Sequence, residues 1–504
     1  MDEPTAEPSA TLAAIDIGSN SFRLELGHFI DGRYRRIDYV KQTVRLGAGL
    51  DAQGMLGADA AQRGLNCLAS FASRLAGLPA SHVRAVATQT LREARNRNAF
   101  LERAQKALGH EIEVIAGREE ARLIYAGVTL LQPADESLLV IDIGGRSTEL
   151  ILGQGRVPSV AESFAVGCVS LSQRFFGDGR ITEAAFRHAM TAAGAEFEEA
   201  QQAFAPGQWH HVLGASGTAG AVSQLLVASQ VSDGRITPQG VAWLMERCVA
   251  ARQCERIELP GLKPDRRAVL PGGLAILQTL LENFEIDELW PARGALRHGV
   301  LGELHEMLGD GARATQADLR DATVAELQRR FAVDRAQADR VALIALALFD
   351  ALPGAGSAER LAARRELAWA CALHELGLMV SHHDHHRHSA YLMAKVDAPG
   401  FSQNQQNRLS QLLLGQRGGL RKLGETLDDE GFAWQLLCLR VAAIVCHARD
   451  AVDAASLWLR VAGRSARLEW SEAWARAKPR TVYLLHEEAQ AWARGGVLRL
   501  ELPD

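Results

Sequence analysis

Two stretches of this chain repeat one another. Leu12-Ala-Ala-Ile-Asp16-Ile-Gly18-Ser19-Asn20-Ser21 returns as Leu139-Val-Ile-Asp142-Ile-Gly144-Gly145-Arg146-Ser147-Thr148, which sets the two aspartates 126 positions apart. Each copy is an apolar strand, a tight glycine turn, small polar residues and a second strand. Glycine lets a backbone turn sharply and approach a ligand closely. Successive N–H groups in such a turn form a concavity that binds anions, and Ser19, Asn20, Ser21, Ser147 and Thr148 add donors at its rim. The chemistry suggested is phosphate binding. A carboxylate beside phosphate needs a cation between them, and Mg²⁺ takes one or two carboxylates plus phosphate oxygens. Asp142 and Glu149 bracket the second loop and can share such an ion. The alternative use of Asp16 and Asp142 is to cap their own turns. A third glycine-rich turn, Leu213-Gly214-Ala-Ser216-Gly217-Thr218, stands between a strand and a helix, where backbone N–H groups also face an anion.

Splitting a phosphoanhydride needs a group that orients or deprotonates water for in-line attack. Glu120, in Ala116-Gly-Arg-Glu-Glu-Ala-Arg122, is the candidate. Gly117 ends a strand over 113–116 and a helix starts at once, so the helix dipole is expected to lower the pKa of Glu120. Arg92, in Thr88-Gln-Thr-Leu-Arg-Glu93, can clamp a terminal phosphate through two N–H groups. Arg45 and Arg297 are single loop arginines of the same kind, and Arg146 stands inside the second loop. Six histidines fall between His374 and His388. That density suits a metal site, or else a polar linker or dimer surface.

These residues need a scaffold. The chain has 504 residues, 47% hydrophobic and 23% charged, enough for about three or four packed domains. Short β-rich runs alternate with helical stretches from Leu12, which suggests an α/β architecture. Strands are expected at 12–15, 22–29, 83–87, 138–141, 150–152 and 211–213, with helices at 58–75, 98–108 and 119–130. From Ala317 the pattern turns almost wholly helical, and β signal returns after residue 450. Boundaries therefore fall near 131, 312 and 450, giving units 11–131, 132–312, 313–450 and 451–504. Two similar lobes facing each other would set both loops across one cleft.

A net charge of -5 argues against a nucleic-acid-coating protein. No apolar run reaches the length of a membrane span. Met1–Ala10 is acidic and contains proline, unlike a signal peptide. Seven cysteines without a CxxC pair fit a reduced, cytoplasmic setting. Residues 311–504 hold 25 basic and 23 acidic groups, against 30 and 37 in residues 1–310. Arg364, Arg365, Arg417, Arg421 and Lys422 could guide a long polyanion, or could be solvated helix faces.

Taken together, Asp16-Ile-Gly-Ser-Asn-Ser-Phe22, Thr88-Gln-Thr-Leu-Arg92, Gly117-Arg-Glu-Glu-Ala-Arg-Leu123, Asp142-Ile-Gly-Gly-Arg-Ser-Thr-Glu149, Gly167-Cys-Val169, Gly214-Ala-Ser-Gly-Thr218, Gly294-Ala-Leu-Arg297 and His386-Arg-His-Ser-Ala-Tyr391 resemble the exopolyphosphatase / guanosine pentaphosphate phosphatase family (Ppx/GppA) in its long form. The resemblance covers nearly the whole chain. It implies two actin-like (ribonuclease H-like) lobes, an all-helical domain related to His-Asp phosphohydrolases, and a small C-terminal α/β domain. It implies a Mg²⁺-dependent enzyme, dimeric, that removes a terminal phosphate. Glu120 matches the family's catalytic base, Asp142 and Glu149 its metal-associated acids, and Ser19, Asn20, Arg92, Gly144 and Ser147 its phosphate contacts. Arg146 departs from the pattern, which has a small residue there. The expected substrate is inorganic polyphosphate, with guanosine pentaphosphate (pppGpp) as the alternative. An ATP-binding actin-like kinase and a non-catalytic polyphosphate sensor are more remote readings.

Overall fold

The computed structural model describes residues 10–132, 135–308, 319–353, 357–450, 454–495 and 497–503. The chain divides into two compact units, Met1–Gln316 and Ala317–Asp504. The boundary expected at 312 and the leader expected at the N-terminus fall largely outside the described residues.

The first unit contains the duplication. Strands β1 (Leu12–Ile17), β2 (Ser21–Ile30) and β3 (Arg33–Thr43) form an antiparallel meander, and β4 (Val83–Ala87) and β5 (Ile112–Val114) extend it in parallel, in the order β3-β2-β1-β4-β5. Strands β6 (Leu138–Ile143), β7 (Thr148–Gln154), β8 (Val157–Phe164), β9 (His211–Gly214) and β10 (Trp290–Pro291) repeat that plan in the order β8-β7-β6-β9-β10. β1 is buried at every position because its sheet is covered on both faces. β3 is an edge strand with mostly exposed side chains and reads as polar; this is why the sequence pattern passes over it.

Two helices tie the lobes together. Gly117–Leu131 leaves the first lobe and packs on β7 and β8, while Leu296–Leu308 leaves the second and packs on β1. Where they cross, Gly127, Gly294 and Gly299 let the backbones touch. A Cβ on Gly127 would collide with the Ala295 carbonyl, and one on Gly299 with that of Leu123. An ion-pair network flanks the crossing. Arg84 holds Glu113 at 3.0 Å and Glu303 at 2.6 Å, and Arg122 pairs with Glu119 at 2.7 Å and also with Glu303.

In the second unit, six α-helices among the described residues lie between Leu319 and Val445, followed by a small sheet of β11 (Leu457–Ala462), β12 (Ser465–Trp470) and β13 (Arg499–Glu501). One apolar cluster runs from Val324 to Leu500. A buried Arg440–Glu488 pair at 2.6 Å joins the helix Glu430–Val445 to the helix Pro479–Gly495. No helix among the described residues is long and apolar enough to cross a membrane.

Candidate active site

Strand pairing fixes the acids. Asp16 lies opposite Arg23 in the β1–β2 ladder, and Asp142 lies opposite Glu149 at the equivalent place in β6–β7. The duplication therefore carries an asymmetry. In the first lobe the Arg23 guanidinium donates to Asp16 Oδ2 at 2.7 Å, so that carboxylate is neutralised rather than merely capping its turn. In the second lobe an acid faces an acid. Burial, then repulsion from Glu120, pushes the Asp142 carboxyl up to about 7. Glu149 is raised well above the ordinary range by burial and by Glu120 and Asp142, although the Ser163 hydroxyl donates to its Oε1 at 2.7 Å.

The two loops touch across the lobes. A Cβ on Gly145 would stand 2.9 Å from Ser19 Cβ and 3.3 Å from the Asn20 nitrogen. Between them lies a cavity of about 270 Å³. Of the residues expected from sequence, Asp16, Gly18, Ser19, Asn20, Ser21, Glu120, Asp142, Gly144, Gly145, Ser147, Ser216, Gly217, Thr218 and Arg297 line it. The Ser21 hydroxyl is buried without a hydrogen-bond partner, a group left for a ligand or water.

Thr148, Glu149, Gly214, Arg92, Arg45 and Arg146 are not among the lining residues. Thr148 and Glu149 are buried in β7, and Gly214 ends β9 just before the lining residues Ala215 and Ser216. Arg92 sits behind Glu120. Its Nη1 donates to Glu120 Oε2 at 2.7 Å and to the Ile115 carbonyl at 2.9 Å, while its Nη2 is buried and unpartnered. Arg45, at φ 54°, donates to the Asp265 carbonyl across the lobes at 3.2 Å. Arg146, expected to contact phosphate, is committed to Glu93 at 2.7 Å. Arg297 reaches the cavity with its Nε bound to buried Glu25.

The helix start was expected to lower the pKa of Glu120. The structure gives the opposite direction. Burial raises it, the Arg92 pair works against that rise, and Asp16 adds to it. A dipole effect on an exposed first turn is smaller than the cost of burying a carboxylate among acids. The neighbouring Glu119 turns away to Arg122.

Sequence reasoning missed a set of cations at the mouth. Lys41 and Arg266 line both this cavity and an adjoining one of about 520 Å³, which also takes in Tyr39, Gln224, Leu225, Leu262 and Lys263. Burial, then Arg266 and Arg23, brings the Lys41 amine down to about 8. A Cβ on Gly217 would lie 2.6 Å from Arg266 Nη2 and 3.7 Å from Arg23 Nη2, so guanidinium groups of opposite lobes converge there. Tyr39 and Lys41 share the face of β3 opposite the core-packed Val40 and line the cavities, but on an exposed, polar edge strand no apolar alternation marked them.

In the helical unit His374 is buried with its Nδ1 at 2.8 Å from the Cys371 carbonyl, and His383 is exposed. Among the described residues no group of three or more His, Cys, Asp or Glu side chains is arranged to hold a metal. Arg364 and Arg365 are engaged by Asp350 and Asp321, each at 2.7 Å. All seven cysteines are buried free thiols.

Duplicated lobes closing on paired glycine loops, with buried acids between them, define an actin-like protein that handles phosphate. The chain belongs to the Ppx/GppA phosphatase family, a family of phosphoanhydride hydrolases. Residues 31–307 match the model of the Ppx/GppA phosphatase family, and residues 319–489 that of Ppx/GppA phosphatase, domain III. A guanosine-5′-triphosphate,3′-diphosphate pyrophosphatase of Aeromonas salmonicida is 37% identical over 437 residues, covering 87% of this chain and 86% of its own. One from Pseudoalteromonas translucida is 35% identical over 487 residues, covering 96% and 97%. The crystal structure of an exopolyphosphatase-like protein, 26% identical, superposes with a TM-score of 0.55 over 60% of this chain and 99% of that one.

Proposed function

We propose that this protein hydrolyses the terminal 5′-phosphate of guanosine pentaphosphate, giving guanosine tetraphosphate and inorganic phosphate. This replaces the expectation of inorganic polyphosphate as the main substrate. The observation that carries it is the annex beside the phosphate cavity. It offers two chemistries at once: Lys41, Lys263 and Arg266 for anionic oxygens, and Tyr39, Leu225 and Leu262 for an uncharged face. A linear polyphosphate has no apolar part to bury. A nucleotide phosphorylated at both ends of its ribose needs a wall for the nucleoside and cations for the second phosphate group. The names of the curated relatives support the same reading.

In the reaction, water attacks the terminal phosphorus and the bridging oxygen leaves with the rest of the nucleotide. Glu120, nearly buried and oriented by Arg92, holds that water and takes its proton. Gly145 and Gly217 line the cavity and their backbone N–H groups are the donors we assign to the phosphate oxygens, where preorganised donors stabilise developing charge. Asp142 lines the cavity and Glu149 is its partner across the β6–β7 ladder. Burial and Glu120 raise both carboxyls, and Asp142 adds to the rise of Glu149, so a divalent cation held by this pair would relieve the repulsion. Mg²⁺ held there would supply positive charge to the phosphate oxygens.

The test is phosphate release from pppGpp, from GTP and from long polyphosphate, measured side by side on wild type and on Arg266→Ala. The proposal expects pppGpp to have the highest kcat/KM. It expects Arg266→Ala to raise KM about tenfold for pppGpp, as for the loss of a charge-assisted contact, and far less for GTP. Faster turnover of long polyphosphate than of pppGpp would overturn it in favour of the exopolyphosphatase reading.

A further inference from the structure

Arg146 occupies the place in the second loop that Asn20 holds in the first, and it does something that no small residue could. Its side chain leaves the second lobe and crosses to the first. There Nε and Nη2 donate to Glu93 Oε2 at 2.9 and 2.7 Å, and Nη1 donates to the Gly47 carbonyl at 3.2 Å. Gly47 makes room for the stem, since a Cβ there would stand 2.8 Å from Arg146 Cδ and 3.0 Å from Thr90 Oγ1. The pair is largely withdrawn from water, with side-chain exposures of 19% for Arg146 and 30% for Glu93.

Glu93 is not an end point. Its other oxygen, Oε1, accepts from Gln89 Nε2 at 2.6 Å, and Gln89 Oε1 accepts from Arg92 Nε at 2.8 Å. Arg92 in turn holds Glu120 at 2.7 Å. A continuous chain of side chains therefore runs Arg146, Glu93, Gln89, Arg92, Glu120. Every link but the first lies within the first lobe. The first link alone spans the two lobes, so it is the one that a separation of the lobes would break.

We propose that Arg146 is a positioning residue, an interlobe clasp that aligns Arg92 and Glu120 for attack when the lobes are closed. Each donor in the chain has its geometry set by the next, so freeing Glu93 loosens Gln89 and with it the Arg92 fork behind Glu120. The energy of one partly exposed ion pair is modest. Its leverage comes from alignment, since a displacement of about 1 Å at a reacting group costs about a hundredfold in rate. The inference rests on the proposed role of Glu120 in orienting water.

The experiment uses the full chain and four variants: Arg146→Ala, Glu93→Gln, the double variant, and the charge exchange Arg146→Glu with Glu93→Arg. Phosphate release from pppGpp is expected to fall about tenfold in kcat for either single change, with KM within about threefold, as for a misaligned rather than an unbound substrate. The double variant should be no slower than the singles, because both cut the same link. The charge exchange should rebuild the interlobe ion pair but not the relay, because arginine at position 93 offers no acceptor to Gln89 Nε2; kcat should stay low, whereas a merely structural role would let it recover. A second readout does not depend on turnover. Spin labels at Asp59→Cys and Glu183→Cys, exposed positions of the two lobes in a protein whose own cysteines are buried, report the interlobe distance. Arg146→Ala should broaden it. A kcat within twofold of wild type, losses that multiply in the double variant, or an unchanged distance distribution would each overturn the clasp. A wild type that releases phosphate from neither pppGpp nor polyphosphate would sink the hydrolase reading instead, and the distance measurement would still decide on the clasp.

Discussion

Asp16 and Asp142 hold the same register position in two copies of one hairpin, yet their partners differ in sign. Arg23 opposes the first and Glu149 the second. That single difference turns a symmetric scaffold into a site with one neutralised acid and a repelling group in which Glu120 also takes part. Glu120→Gln keeps the Arg92 contact but cannot accept the proton of water. It should lower kcat by about a hundredfold or more, within the usual range for a lost general base, with the melting temperature unchanged; a folded variant with near-normal phosphate release would remove Glu120 from the mechanism. Lys41 gives a pH prediction. Its amine stands at about 8, below the ordinary lysine value, because of burial and of Arg266 and Arg23, with Asp265 pulling the other way and Lys263 adding to the fall. The charged form is therefore present below about pH 8 and lost above it. KM for pppGpp should rise as pH goes from about 7 to 9, and Lys41→Arg should flatten that rise, since arginine stays charged. Equal slopes in both proteins would show that Lys41 does not meet the substrate.

At the scale of elements, the crossing of Gly117–Leu131 with Leu296–Leu308 carries the lobes. Gly127 and Gly299 are required there by close approach rather than by an unusual backbone angle, since an added Cβ would strike a carbonyl of the facing helix. Gly127→Ala or Gly299→Ala should cost about 1–3 kcal/mol in urea unfolding, as for overpacking of a tight interface. Gly220, in the helix Gly217–Ala228, has open space around it. Gly220→Ala should be neutral or stabilising by up to about 1 kcal/mol through helix propensity. A similar loss at all three positions would mean that helix crossing is not what the glycines serve.

For the whole molecule, the first unit contains both lobes, the cavity and its annex. The exopolyphosphatase-like structure matches 60% of this chain over 99% of its own length. A fragment of residues 10–308 should unfold in one cooperative transition and keep phosphate release from pppGpp within about tenfold of the full chain; an aggregated or inactive fragment would show that the helical unit is needed for folding or for the site. Guidance of a long polyanion by the second unit was one of two readings of its linear charge, the other being solvated helix faces. With Arg364 and Arg365 already paired to Asp350 and Asp321, the charge available for that is smaller than the count suggested. Equal loss of activity on long and short substrates in the fragment would fit this.

By itself the sequence determined the duplicated hairpin, because a β-rich run followed by Asp-Ile-Gly and small polar residues has few ways to fold. It also determined the two loops, Glu120 at its helix start, and the change to a helical unit near residue 317. What only the tertiary structure decided were the relations between distant residues. The pairing of Asp142 with Glu149, the turning of Arg146 toward Glu93, and the convergence of Arg23 with Lys41 and Arg266 depend on strand register and on which faces of two lobes meet. Register flips every side chain with a one-residue shift, and the approach of two lobes is set by packing over many residues. The pKa of Glu120 makes the same point: the local rule gave the wrong direction because burial among acids, a property of the closed cleft, outweighs a helix end.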